Sequence, residues 1–212
     1  MSTYLSKRKA GARDEFEPDQ LLYQGFHEIR ALQLEGPGVR RGRHSAYGVE
    51  VPAANAKVDA VTILGVISDT HGLLRPEARA VLASVDRIIH AGDIDERVVL
   101  QMLGSLAPIT AVRGNMDRGA WARGLPEQAT LTVEGFAIHV VHDVYQLGFD
   151  PKADGIAVVV SGHTHRPRNE VLDTVLYFNP GSAGPRRHGG RVSLGKLHLA
   201  PDGIRGEIIM LD

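Results

Sequence analysis

The chain of 212 residues contains no cysteine. That excludes disulfides and thiolate metal ligands and favours a reducing compartment, so a cytoplasmic location is expected. Aromatic residues make up only 5% of the sequence, and the net charge at pH 7 is −1. With no basic surplus and no long basic, aromatic-rich stretch, the chain is a poor fit to a nucleic-acid-binding protein. No apolar run is long enough to cross a bilayer, so no membrane partner is expected. The opening "MSTYLSKRKAGARDEFEPD" lacks the apolar core of a secretory signal and carries acidic residues that transit peptides avoid. What is present is 43% hydrophobic and 23% charged, the balance of a globular protein with room for one sizeable core.

Two regions differ in pattern. Residues 1–57 carry no strand-like run; "GPGVRRGRHSAYG" is basic and glycine-rich, as linkers are. Within it, Leu22, Phe26, Ile29 and Leu32 follow Pro18 at helical spacing, which predicts one amphipathic helix. Residues 58–212 alternate more sharply. "VTILGVIS", "DRIIHAG" and "PITAVRG" read as strands separated by two helices, "PEARAVLASV" and "DERVVLQMLGSL", with Val98, Val99, Met102, Leu103 and Leu106 expected on the buried face of the second. This order implies parallel strands with right-handed crossovers. "ATLTVE" and "FAIHVVH" read as a hairpin around Glu134-Gly135, and "IAVVVSG" is strand again. "NEVLDTVLYFN", "RVSLGKLHLA" and "GIRGEIIML" complete an antiparallel-looking set. The expected fold is α/β: a two-sheet β-sandwich flanked by helices.

Five of the apolar runs end in residues able to bind metal. Asp69 and His71 follow the first, Asp93 the second, Asn115 the third, His142 the fifth, and His163 and His165 the "IAVVVS" run. Singly, each has an ordinary reading. Asp69 suits a helix cap, Asn115 and Asp117 suit a turn, His142 suits the surface, and His163 with His165 suit a polar loop. Jointly, seven ligand-type side chains at strand ends are poorly explained by capping. In open α/β sheets, ligands bind in the crevice outside the carboxyl ends of the strands, and neighbouring strands lie only about 5 Å apart.

The order and spacing of "SDTHG", "AGDI", "GNMD" and "SGHTHRP", with "FNPGSAGPRR" near the end, resemble the calcineurin-like metallophosphoesterases, in particular their small bacterial and archaeal phosphodiesterase branch. The resemblance spans about residues 61–212 and implies a four-layer αββα sandwich holding two divalent ions. It implies that Asp69, His71 and His165 ligate a first metal, that Asn115, His142 and His163 ligate a second, and that Asp93 is shared between them. The mixed N/O donors suit Mn, the first expectation, with Fe, Zn, Ni or Co also compatible. The implied activity is hydrolysis of a phosphodiester by a hydroxide held between the metals, with Asp93, Asn115 and His142 at the catalytic centre. Arg186 and His188 are candidate substrate contacts.

Two positions depart from the family's pattern. A His-Gly-His motif is common, but here the sequence is His142-Asp143-Val144; Asp143 is either a partner of a ligand imidazole or a turn acid. Met116 stands where many relatives place a histidine resembling a general acid. Two other readings are open: a metal-free or weakly active scaffold on the same fold, and a nuclease. The expected partner is a small phosphodiester, with homo-oligomerisation left open. No candidate ligand other than His27 and His44 lies in residues 1–57, so a chain starting near Val58 is expected to keep its turnover.

Overall fold

The computed structural model describes residues 61–186 and 190–211. The helix expected within residues 1–57 and the candidate His188 lie outside the described residues.

The first half is built as the sequence implies. β1 (Thr62–Ile67) leads through α1 (Pro76–Leu82) to β2 (Arg87–His90), then through α2 (Arg97–Gly104) to β3 (Ile109–Ala111). All three strands run parallel. Pro76 sits in the first turn of α1, where its missing N–H costs nothing and its fixed φ suits the helix. The side chains of β1 alternate. Leu64 and Val66 join the core between the sheets, whereas Ile67 joins the cluster under the helices with Ala78, Leu82, Val99 and Leu103. On α2, Val99 and Leu103, one turn apart, face the sheet, and Val98 is left 49% exposed. Leu100 and Leu106 pack against the same cluster, so Val98 is the exposed exception on the face expected to be buried.

The second half is β4 (Gln128–Val133), β5 (Phe136–Val141), β6 (Val158–Val160), β7 (Arg168–Leu172), β8 (Val175–Asn179), β9 (Ser193–Ala200) and β10 (Gly203–Met210). The β4–β5 hairpin turns at Glu134 and Gly135, both with positive φ. "NEVLDTVLYFN" is not one strand but two, β7 and β8, joined by a turn at Asp173 and Thr174, also both at positive φ. No glycine marks that turn in the sequence.

Two five-stranded mixed sheets result, in the orders β10-β9-β1-β2-β3 and β4-β5-β6-β8-β7. The last two strands return to the first sheet: β9 pairs antiparallel with β1, and β10 pairs antiparallel with β9. The antiparallel expectation for the second half is corrected at its centre, since β5–β6 and β6–β8 are parallel. The all-valine β6 is completely buried, as a central parallel strand covered on both faces should be. Phe178 from β8 fills the core between the sheets beside Val66, Ile138, Val160 and Leu197. Both α-helices of the described residues cover the first sheet. The outer face of the second is covered by Val144, Leu147, Phe149 and Ile156, from the loop between β5 and β6.

Candidate metal centre

The parallel strands of both sheets end on one side of the sandwich, and that side gathers the seven sequence candidates. Backbone hydrogen bonds join the loops they carry. Asp69 N donates to Gly92 O at 3.0 Å, His71 N to Asp93 O at 3.1 Å and Gly162 N to His142 O at 2.9 Å. Asp69, His71, Asp93, His163 and His165 all have φ between 45° and 67°. Non-glycine residues persist in this left-handed region only where the surroundings over-determine them, and such strain clusters at functional sites.

Two groups of ligating atoms form, each with its atoms within 4.8 Å of one another: Asp69, His71 and His165; and Asp69, Asp93 and His142. In the first, His71 Nε2 and His165 Nε2 are 3.4 Å apart, and His165 Nε2 is 3.2 Å from Asp69 Oδ1. In the second, His142 Nε2 is 3.4 Å from Asp93 Oδ1 and 3.2 Å from Asn115 Oδ1. His163 Nδ1 reaches the same amide oxygen at 3.1 Å. All seven side chains are thus brought together, and Asp69 is common to both groups.

The donor set fits cations. Asp69 is fully buried, and its Oδ1 has no hydrogen-bond partner, since the approach of His165 lacks hydrogen-bond geometry. A buried, unsatisfied carboxylate oxygen is costly unless something positive meets it. His142 Nδ1 lies 2.7 Å from the Ala91 carbonyl, which can only accept. The proton is therefore on Nδ1, and Nε2 of the neutral ring turns its lone pair toward Asn115 Oδ1, a second acceptor. Two acceptors at that distance need a cation or an added proton between them. Burial pulls the His142 pKa down, but the Asp93 carboxylate outweighs it and the net shift is upward. Burial pushes Asp93 up, but His142 and the Met116 N–H outweigh it and the net shift is downward. The field that draws a proton to this pair also draws a metal.

Other residues hold the site in place, and none of them is among the seven expected ligands. Asp117 accepts Ile94 N and Gly114 N at 2.7 Å and Asp95 N at 2.8 Å, tying the β2 loop to the β3 loop. Burial raises its pKa more than these three donors lower it. Asn179, at the end of β8, donates to Gly162 O at 2.6 Å and steadies the loop of His163 and His165. Ser182 Oγ and Gly184 N both donate to Asp69 O, so "NPGSAG" braces the first ligand. His90 is completely buried. Gly92 N donates to its Nδ1, which places the proton on Nε2 toward Thr70 Oγ1. Burial lowers its pKa to about 3, so it is a neutral post between two loops. The "GD" and "GNMD" contexts were the only sequence signal for Asp95 and Asp117.

Two glycines beside the ligands sit where loops meet closely. A Cβ on Gly114 would lie 2.2 Å from Asp93 Oδ1, and one on Gly162 would lie 2.0 Å from Ser68 Oγ and 2.8 Å from Asp69 Oδ2. They let the ligand loops approach one another. Asp143 accepts the Tyr145 N–H at 3.1 Å and so caps a short 3-10 turn. Arg186 lines a small cleft with His165, Ser182, Pro185 and Arg191. A larger depression, about 390 Å³, is lined by Val61, His198 and Arg205; it lies at the start of β1, the opposite end from the ligands.

A two-sheet α/β sandwich with Asp, Asn and His side chains converging at its strand ends has the donor set of a metal-binding protein. Residues 63–201 match the calcineurin-like phosphoesterase superfamily domain, and the chain belongs to that superfamily. It is 36% identical over 132 residues to a probable metallophosphoesterase of Methanothermobacter thermautotrophicus, covering 57% of this chain and 76% of that one. Among solved structures, an archaeal phosphodiesterase matches with a TM-score of 0.61 and 25% identity, over 71% of this chain and all (100%) of that one. The vacuolar protein sorting 29 protein of Cryptosporidium parvum shares the fold, with a TM-score of 0.58 and 17% identity over 72% of this chain and 98% of that one. Among the described residues, no helix is long and apolar enough to cross a membrane.

Proposed function

We propose that this protein is a phosphodiesterase that works with two divalent metal ions, Mn being the first expectation and Fe, Zn, Ni or Co alternatives. The observation that carries the reading is the pair of ligand groups at adjacent strand ends, which share Asp69 and its buried carboxylate oxygen without a partner. Asp69, His71 and His165 would hold the first ion, Asn115, His142 and His163 the second, with Asp93 shared. When bound, the ions supply Lewis acidity toward the phosphoryl oxygens and a nucleophile at neutral pH. The Ala91 carbonyl keeps His142 in the tautomer whose Nε2 can ligate. Asn115 offers an oxygen without adding negative charge that would repel the phosphate, and Arg186, which lines a small cleft with His165, would be the contact for a phosphate oxygen. The preference for diesters rests on the likeness to the archaeal phosphodiesterase.

A second reading is a protein-interaction scaffold on the same fold. The fold shared with the sorting protein supports it, and the retention of all seven ligand-type side chains opposes it. The test is elemental analysis of the purified protein together with hydrolysis of an aryl phosphodiester. Two ions per chain, activity lost in chelator and restored by Mn, support the enzyme. Full activity in chelator overturns the metal-dependent reading, and absence of bound metal with no turnover favours the scaffold. Salt-dependent binding to polynucleotide would instead point to a nuclease.

A further inference from the structure

The two histidines at the centre of the ligand groups are held in unlike ways. His71 Nδ1 lies 3.0 Å from Asp95 Oδ2, so its ring N–H meets a carboxylate. His142 Nδ1 lies 2.7 Å from a neutral carbonyl, Ala91 O. The His71 side chain is 3% exposed and that of Asp95 is 30% exposed, so the imidazole end of the first contact is shielded from water and the carboxylate end is partly open to it. The other Asp95 oxygen, Oδ1, is buried and makes no hydrogen bond, so the carboxylate's charge is not shared with another donor.

Asp95 is also held rigidly. Its φ is 64°, and its backbone N–H is fixed to Asp117 Oδ1. Its loop is clamped to the His71 loop by His71 N to Asp93 O at 3.1 Å and Gly72 N to Ile94 O at 2.8 Å. A carboxylate accepting from the far nitrogen of an imidazole fixes the ring's orientation and increases electron density at the near nitrogen, whereas a carbonyl does so less strongly.

We infer that Asp95 is a positioning residue that makes the His71 position the tighter of the two metal positions. The inference rests on the dimetal reading above and adds an order to it: the ion at Asp69, His71 and His165 loads first and leaves last.

The test is calorimetric titration of metal-stripped, full-length protein with Zn, in the unmutated chain and in Asp95→Asn, each repeated with His142→Ala to isolate the first position. Asparagine tolerates positive φ and keeps an acceptor oxygen but removes the charge. The expected result is two unequal steps in the unmutated chain and, in Asp95→Asn, a weakening of the tighter step by about 10–100-fold, with the other step little changed. A readout on the unmutated protein alone is the proton spectrum of the Zn-loaded form. The His71 Nδ1–H should resonate further downfield than that of His142, and Asp95→Asn should move it upfield alone. Unchanged tight binding in Asp95→Asn, a His71 proton no further downfield than that of His142, or equal weakening of both steps with a lowered melting temperature each overturns the inference and leaves the dimetal reading standing. If the unmutated chain binds no metal, both fall.

Discussion

The backbone N–H of Met116 donates to Asp93 Oδ1 at 2.8 Å, while the residue as a whole is 39% exposed. The main chain at this position therefore serves the ligand set and the side chain is free to vary. Breaking a P–O bond leaves negative charge on the departing oxygen, and methionine has no proton to give. The rate should fall steeply as the leaving group becomes more basic, with aryl diesters far better than alkyl ones. A positioned general acid is worth about 10²–10⁴-fold, so Met116→His should flatten the dependence without changing metal content. Rates across a series of diesters check this, and a flat series in the unmutated enzyme would show that another proton donor exists.

The carboxylates make separable predictions. Asp93→Asn should lose at least one metal and nearly all turnover if Asp93 is shared by both ions, and Asp69→Asn should weaken mainly the first. Asp69, however, is the carboxylate common to both ligand groups. If elemental analysis finds two ions retained in Asp93→Asn and both lost in Asp69→Asn, the shared carboxylate is Asp69.

Two buried histidines should give the metal-free protein opposite pH slopes. The His90 pKa is lowered from 6.5 to about 3, so the unfolded chain binds the extra proton first. Its contribution is complete above pH 6.5 and is lost as pH falls toward 3, on the order of 1 kcal/mol per pH unit. The His142 pKa is raised; its contribution is complete below 6.5 and is lost as pH rises through the raised value. Melting temperature should therefore peak near pH 6.5. His90→Gln should flatten the acid side of the peak and His142→Asn the alkaline side. A profile that His90→Gln leaves unchanged would refute the assignment of the acid slope. Bound metal should steepen the acid side, because acid then also strips the ions by protonating their histidine ligands.

Gly162→Ala tests whether the loops are packed as tightly as they look. Its Cβ would lie 2.0 Å from Ser68 Oγ and 2.8 Å from Asp69 Oδ2, so Asp69 must move. The expected cost is about 1–3 kcal/mol, by analogy with overpacked cores, together with weaker binding of the first metal. Gly155→Ala, at a position where no atom lies within 4 Å of the added Cβ but φ is positive, controls for loss of glycine alone by lowering stability without loss of metal. Thermal melts and metal content distinguish the two.

Much of the site was legible because ligand chemistry is carried by residue type and place in the chain. The absence of cysteine restricted the donors to oxygen and nitrogen, and hydrophobic runs ending in Asp, Asn or His located the strand ends. The βαβαβ order made the first three strands parallel, so their loops had to emerge on one side. These features depend on local burial, which periodicity records. The pairing of β6 with β8, the Asp95–His71 contact, the Asp117 clamp and the mutual approach of Gly162 and Asp69 were decided only by the tertiary structure. Each joins residues whose neighbours in sequence say nothing about the partner; His163 N and Asp69 Oδ2, for example, meet across 94 positions. A strand's pattern states which face is buried, but not which strand lies beside it, and a hydrogen bond between two loops exists only when both strand ends have been fixed in space.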